Sequence, residues 1–561
     1  MKNSLYDSYI RAIKWASLRI AERGVVAFVT NGGWLDSNTA DGMRLSLADE
    51  FSDIHVLNLR GNARFAGDQR KKEGGTGSRA TVAVTILVKD PASSGPARIH
   101  YTDIGDYLTR EDKLAKVAAS SSHQGLEPRT IAPNAHGDWL NQRSGNFAAW
   151  LPIGDKQSAA VFGLYSGGLK TNRDAWCYNA SREELEANMR RLVETYEADR
   201  RAHRTSSAAT TDPKQISWNR SLLADLDRKR ARTFGSAAVR RGLYRPFTRQ
   251  RVYFDRALND MVYRLEAVFP AGDMPNVGMY ALNPGAEKPF SALMVDSIPD
   301  IALYGSNAGQ LFARWRYEKV GAGDDMLAFD AAGDGEMVGG YRRIDNITDH
   351  ALETFAAAYG ESITKDDIFF YVYGLLNSPD YRDTYAADLK KLLPRIPLVT
   401  DPWPYIEAGR QLSDLHLGYE AVEPYPLVRL DDPAPSGAAA YEHFRVDKMA
   451  FAKVRDPETK KLVPDRSAVV YNSRITVSGI PEEAHRYMLG SRSAIEWIID
   501  RYQVKTDKPS GIVNDPNDWS REVGDPRYII DLLARIVTVS LETMKIVDAL
   551  PDLEIRAGDS E

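Results

Sequence analysis

Gly24-Val25-Val26-Ala27-Phe28-Val29-Thr30-Asn31-Gly32-Gly33-Trp34-Leu35 is the stretch whose reading decides the fold. Val25 to Thr30 is a short, continuously apolar run, the pattern of a strand buried on both faces in a parallel α/β sheet. Asn31-Gly32-Gly33 then turns the chain. Upstream, Tyr9, Ile10, Ile13, Trp15, Ala16 and Ile20 fit one face of a helix over 8–23, which Gly24 ends. Downstream, 39–51 reads as a helix and Ile54 to Leu59 as a strand. Thr81 to Val88, rich in β-branched residues, is a third strand after a glycine-rich, charged loop from Gly61 to Arg79. This order is about half of a doubly wound domain. With nothing upstream to supply more strands, 25–30 would become an exposed edge, which natural proteins avoid. The expectation is a sequence that begins in the middle of a domain.

Beyond residue 90 the pattern changes. Residues 91–150 are rich in Pro, Ser, Gly and Asn and predict a link between domains, with 106–150 as the connector proper. Residues 151–345 mix short strand-like runs with a polar helix at 181–204. From Thr348 onward the spacing predicts helices at 348–359, 364–377, 379–391, 405–416, 481–502 and 526–548, with a strand pair near 466–478. The fold class is therefore α/β: an incomplete Rossmann-like sheet over 1–105, a mixed α+β region over 151–345, and a largely helical part over 346–561.

Composition narrows the function. Apolar residues make up 43% and charged residues 27% of 561, ordinary for a globular protein. One cysteine, Cys177, excludes an internal disulfide framework and suits a reducing cytoplasm. No apolar run approaches the roughly 20 residues that span a bilayer. The chain has no Cys-x-x-Cys, no His-Glu-x-x-His, no Walker-type phosphate loop and no Gly-x-Ser-x-Gly elbow, so neither a metal site nor a catalytic residue is assigned. Asp296 and Asp300 read as turn-capping aspartates rather than paired catalytic carboxylates.

The formal net charge of −5 argues against a wholly basic nucleic-acid binder, but the charge is clustered. Between Asp227 and Arg251 stand nine cations, interleaved with Tyr244, Phe247 and others; Arg228, Lys229, Arg240, Arg241, Arg245 and Arg249 are the expected DNA contacts. Arginine supplies both phosphate attraction and a planar fork for base edges. Gly168 to Trp176 offers Lys170, Asn172 and Arg173 after a glycine turn, either as groove contacts or as a locally capped turn. Asn31 ends a strand where α/β sheets bind ligands, although a turn without a catalytic role is the simpler reading.

These blocks together resemble the Type ISP restriction–modification enzymes. The similar stretches are Lys2 to Ala12, Gly24 to Leu35, Asn58 to Asn62, Gly77 to Ala80, Leu169 to Tyr178, Tyr244-Arg245-Pro246-Phe247, Asp367 to Asp380, Ala408 to Tyr419 and Arg501 to Trp519. The resemblance implies that residues 1–90 correspond to the last three strands of a gamma-class adenine-N6 methyltransferase, and about 151–555 to a specificity region that recognises double-stranded DNA. It also implies that S-adenosylmethionine is bound in the complete enzyme by motifs preceding this region. Neither the cofactor motif nor Asn-Pro-Pro-Tyr occurs here. Phe65 sits where some gamma-class relatives pack an aromatic against a flipped base, so Asn31 and Phe65 are the base-pocket candidates. The expected function is sequence-specific DNA recognition in the cytoplasm, inactive alone. The missing nuclease, helicase and methyltransferase portions would be partners in cis or trans, and the alternative is an adenine-N6 methyltransferase completed by a separate N-terminal subunit.

Overall fold

The computed structural model describes residues 3–61, 81–105, 108–120, 122, 124–270, 274–286, 288–320, 335–430, 435–457 and 460–556. It divides into two compact units, the first formed by 1–148 with 385–391 and the second by 149–384 with 392–561.

The first unit holds α1 (Ser8–Ser17), β1 (Gly24–Asn31), α2 (Asp41–Glu50), β2 (Asp53–Arg60), β3 (Val82–Lys89), β4 (Arg98–Asp103), α3 (Arg110–Ala119) and β5 (Arg129–Ile131). Its sheet runs β1-β3-β2-β4-β5. β3 lies antiparallel between β1 and β2, β2 is parallel to β4, and β5 is antiparallel to β4. The three expected strands are present, but β1 is not buried on both faces. It ends the sheet among the described residues, with Val26 buried while Val25 and Val29 are 62% and 68% exposed. A continuous apolar run shows which residues suit burial, not which neighbour covers each face. α1 stops at Ser17, six residues earlier than its apolar spacing suggests. There the Ser17 hydroxyl donates back to the Lys14 carbonyl and competes with helix propagation.

The expected connector forms regular elements among its described residues. Residues 106–150 supply α3, whose Thr109 and Asp112 form a capping box, and β5. They also supply Trp139, packed edge-on to Trp34 at 5.3 Å within a core that includes Ile13, Val26, Ile54, Val56 and Ile99. Asp138 is 1% exposed and is held by Arg143 at 2.8 Å and Lys391 at 2.7 Å, with Arg44 at 3.6 Å. Here Pro, Gly and Asn mark turns between short elements rather than a lack of structure.

The second unit shares one core, from Leu169 to Val539, between the expected mixed and helical parts. Its N-terminal half contains α4 (Arg182–Arg201), the hairpin β6 (Val239–Arg245) and β7 (Thr248–Tyr253), and a sheet of Ala292–Val295, Gly278–Leu282, Gly309–Ala313 and Ser166–Gly167. The C-terminal half is less helical than expected. Alongside α5 (Lys365–Asn377), α6 (Trp403–Leu417) and α7 (Tyr528–Asp548) it carries a four-stranded sheet, ordered Val428–Leu430, Thr476–Ser478, Leu462–Val470 and Ala450–Arg455. The expected strand pair is the middle of that sheet. No helix among the described residues is long and apolar enough to cross a membrane.

α5 and α6 touch backbone to backbone. A Cβ on Gly374 would fall 2.0 Å from the Tyr405 carbonyl oxygen, and one on Gly409 1.9 Å from that of Phe370. Neither carbonyl can swing away without breaking helix hydrogen bonds, so overpacking must separate the helices. Gly409→Ala is expected to destabilise the second unit by about 2–3 kcal/mol, read as a lower urea midpoint with an unchanged slope. A midpoint equal to that of the wild type would show that the helices slide apart freely.

Candidate nucleic-acid interface

The basic hairpin does not present all its cations. Arg245 and Thr248 pair across a two-residue turn, Pro246-Phe247, and Phe247 adopts a positive φ of 54°. Proline at the first corner and positive φ at the second are the geometry of a type II turn, where glycine is usual. Phe247 accepts this conformation with its ring 1% exposed, 5.1 Å from the Tyr419 ring and 6.3 Å from His416. The turn is thus pinned inward, and its flanking arginines follow. Arg245 Nη1 donates to Asp300 Oδ1 at 2.8 Å, with its guanidinium 3.9 Å over the Tyr244 ring. Arg249 donates to Asp296 at 2.9 Å and pairs with Glu420. Burial pushes the Asp300 carboxyl up to about 6 although Arg245 beside it pulls the other way. Asp300 also accepts from the Ala302 amide, as a turn cap would. Arg245 and Arg249 are therefore internal ion-pair partners, whereas Arg228, Lys229 and Arg241 are exposed.

The glycine-turn segment splits in the same way. Asn172 is exposed, with a φ of 54°. Lys170 Nζ lies 2.8 Å from Asp260 Oδ2, and that hydrogen bond holds its ammonium above the usual lysine range. Arg173 is 4% exposed, and none of its guanidinium nitrogens has a protein partner; burial lowers its pKa. Thr171 and Tyr244 hydroxyls both donate to Asp174, so the capped turn and the solvent-facing cation coexist.

Lys170 leads to a second surface. Its backbone exchanges hydrogen bonds with Met261 at 3.0 and 2.9 Å. The ring of Tyr263 packs so closely on Gly167 that a Cβ there would lie 3.0 Å from it. Met261 and Tyr263 are 44% and 37% exposed. Tyr263 also lines a groove of about 470 Å³ whose wall carries Arg240, Arg256, Arg264 and Lys319 against a single carboxylate, Glu266. Phe254, Tyr317 and Tyr341 stand between them. Arg240 donates to the Pro270 carbonyl at 3.0 Å, and Arg256 pairs with Glu266. Arg264 and Lys319 have no ion-pair partner among the described residues and are exposed. Cations in excess, separated by aromatic faces, suit a phosphodiester chain and the bases beside it.

Residues 160–532 match the family model of the Type ISP C-terminal specificity domain. The chain belongs to this family. Among solved Type ISP enzymes, LlaGI, a nuclease-deletion mutant in complex with a DNA substrate mimic, is 35% identical with a TM-score of 0.81. The match covers 99% of this chain and 49% of that one. LlaBIII, an ATP-dependent Type ISP enzyme bound to DNA, is 36% identical with a TM-score of 0.82, over 99% of this chain and 34% of that one. DrdV, solved as a DNA complex, is 32% identical with a TM-score of 0.78, over 98% and 53%. The Type ISP chain described here thus spans about half or less of these relatives' length. No curated protein matches it.

Of the base-pocket candidates, Asn31 accepts from the Gly33 amide at 2.7 Å and caps the turn after β1; Phe65 lies outside the described residues. Sequence reading of this Type ISP chain missed Arg256, Arg264 and Lys319. The signal was present in the alternation of Arg256, Tyr263, Arg264 and, later, Arg316, Tyr317, Lys319. What joins them is the packing of strands that are distant along the chain.

Proposed function

We propose that this chain recognises a specific sequence of double-stranded DNA as the specificity part of a Type ISP enzyme. The second unit would act as reader and the 470 Å³ groove as its phosphate-contacting wall. The observation that carries this is the groove's excess of cations between aromatic faces, with Lys170 bonded to Met261 two residues before the groove-lining Tyr263. It agrees with relatives solved with DNA. Arg228, Lys229 and Arg241, all exposed, are proposed to extend the footprint in the cytoplasm, where its DNA lies. If four to six cations reach phosphates, log affinity should fall with log salt at a slope of about −4 to −5. Selection from a random duplex pool should enrich one sequence family. A salt-insensitive, sequence-blind gel shift would overturn the reading.

We place residues 1–105 in the rear of an adenine-N6 methyltransferase domain whose S-adenosylmethionine site lies outside this stretch. The end of β1 does not fit that cofactor: Asn31 is occupied as a cap and Trp34 is buried in the core. Alone, the chain should bind duplexes without methylating or cutting them. A second reading, an adenine-N6 methyltransferase completed in trans by a separate N-terminal subunit, is favoured by the apolar face of β1 on which Val25 and Val29 stand exposed. Tritiated S-adenosylmethionine distinguishes them: label entering DNA only when the separate N-terminal subunit is added favours the second reading, and label entering without any helper refutes the inactive reading.

A further inference from the structure

A cavity of about 330 Å³ in the second unit is lined by three stretches far apart in the chain, which contribute Asp174 and Tyr178, Tyr244 and Gln250, and Arg501 to Asn514. It shares no residue with the groove. Two of the residues that line it carry a buried polar atom without any protein partner, Tyr178 Oη and Arg501 Nε, and Tyr178 is 2% exposed. Buried polar groups normally find a partner, so this hydroxyl is set for something not of the protein. Neighbouring groups are only partly used. Asp174 accepts from Thr171 and Tyr244 hydroxyls, while a carboxylate offers about four lone-pair sites. The Gln250 carbonyl accepts from Asn514 Nδ2 at 3.2 Å, which leaves its NH2 as the unused side. The Tyr178 and Tyr244 rings, 4.8 Å apart, add an aromatic wall.

The charges lining the cavity balance, Asp174 and Asp507 against Arg501 and Lys505, so a strongly anionic ligand gains little there. An acceptor, two kinds of donor and two neighbouring aromatic rings instead match a heteroaromatic base and its hydrogen-bonding edge. We propose that this cavity holds one unstacked nucleobase bearing an exocyclic amine, with Asp174 accepting from the amine and Gln250 or Arg501 donating to the acceptor beside it. The inference rests on the DNA-recognition reading only for where the base comes from.

Saturation-transfer NMR on the purified 561-residue chain, with the monophosphates of deoxycytidine, deoxyadenosine, deoxyguanosine and thymidine up to about 10 mM, tests it. At least one amine-bearing nucleotide should bind saturably, and about five-fold or more tighter than thymidine monophosphate. Tyr178→Phe should weaken that binding about five-fold without shifting the melting temperature, because Oη has no protein partner to lose. Asp174→Asn should erase the preference for an amine. A fluorescent aminopurine placed in duplex and in single-stranded oligonucleotides separates the sources. Brightening in the duplex that needs about five-fold more protein with Tyr178→Phe means the base leaves a DNA stack, while saturable mononucleotide binding without any brightening in the duplex means a free nucleotide fills the cavity. Thymidine monophosphate binding as tightly as the others, or no saturable binding at all, overturns the proposal. A chain that binds duplexes but no mononucleotide sinks the cavity assignment and leaves DNA recognition standing; the reverse result sinks DNA recognition alone.

Discussion

Replacing Arg245 with alanine is expected to lower the stability of the second unit by about 3–5 kcal/mol, a large share of the roughly 5–15 kcal/mol that holds a domain together. Arg245 is 8% exposed and its partner Asp300 2%, with 2.8 Å between Nη1 and Oδ1. Removing the guanidinium strands a carboxylate that burial already pushes up to about 6. The sign of the pH dependence follows. An acid whose folded pKa is raised holds its proton more tightly in the fold. Its contribution to stability therefore falls as pH rises from about 4 towards 6 and stays low above that. Without Arg245 the carboxyl shifts further up, so the variant's deficit should be small near pH 4 and largest near pH 8. Urea unfolding at both values measures it, and equal deficits would show that the pair is not electrostatically coupled. Adding Asp300→Ala should recover much of the loss, because an absent pair costs less than a broken one. Reversing Arg245 or Arg249 to glutamate should therefore unfold the unit before it reports on DNA, and a loss of binding in such a variant says nothing about contact.

This is also where sequence reading reached its limit. Periodicity and β-branching located β1, β2, β3, α5, α6 and α7 within a few residues, because burial of one face is written in the spacing of apolar side chains. Spacing says nothing about which strand pairs with which, so the inversion of β3 between β1 and β2 was out of reach. The short elements α3 and β5 were lost among prolines and glycines that only mark their ends. For the site, a run of nine cations between Asp227 and Arg251 looked like one surface. Two of them turn inward because Phe247 anchors the hairpin tip, and their acids, Asp296, Asp300 and Glu420, lie 47 to 171 residues away. Linear charge density identifies a basic segment, but the partners that neutralise it come from the fold. Lys170, Asn172 and Arg240 do reach a solvent-facing or groove position; Arg264 and Lys319 join them only through packing.

The double variant Arg264→Ala, Lys319→Ala should weaken duplex binding about 10- to 100-fold and reduce the magnitude of the salt slope by nearly two, about 0.9 for each phosphate left without its cation. Both side chains are exposed and neither has an ion-pair partner among the described residues, so the fold loses nothing when they are shortened. An unchanged melting temperature is part of the prediction. Phosphate contacts carry no base information, and the weakening should therefore be nearly the same for the selected sequence and for unrelated duplexes. The matched control removes two cations elsewhere: Lys460→Ala with Lys461→Ala lowers the net charge equally and should change affinity by less than about three-fold. If the two pairs of substitutions weaken binding alike, only the overall charge matters and the groove between Tyr263 and Tyr341 is not where the backbone lies. A weakening confined to the selected sequence would instead make Arg264 or Lys319 a reader of base edges, since a guanidinium or ammonium on guanine discriminates by about 1–3 kcal/mol whereas one on a phosphate does not discriminate.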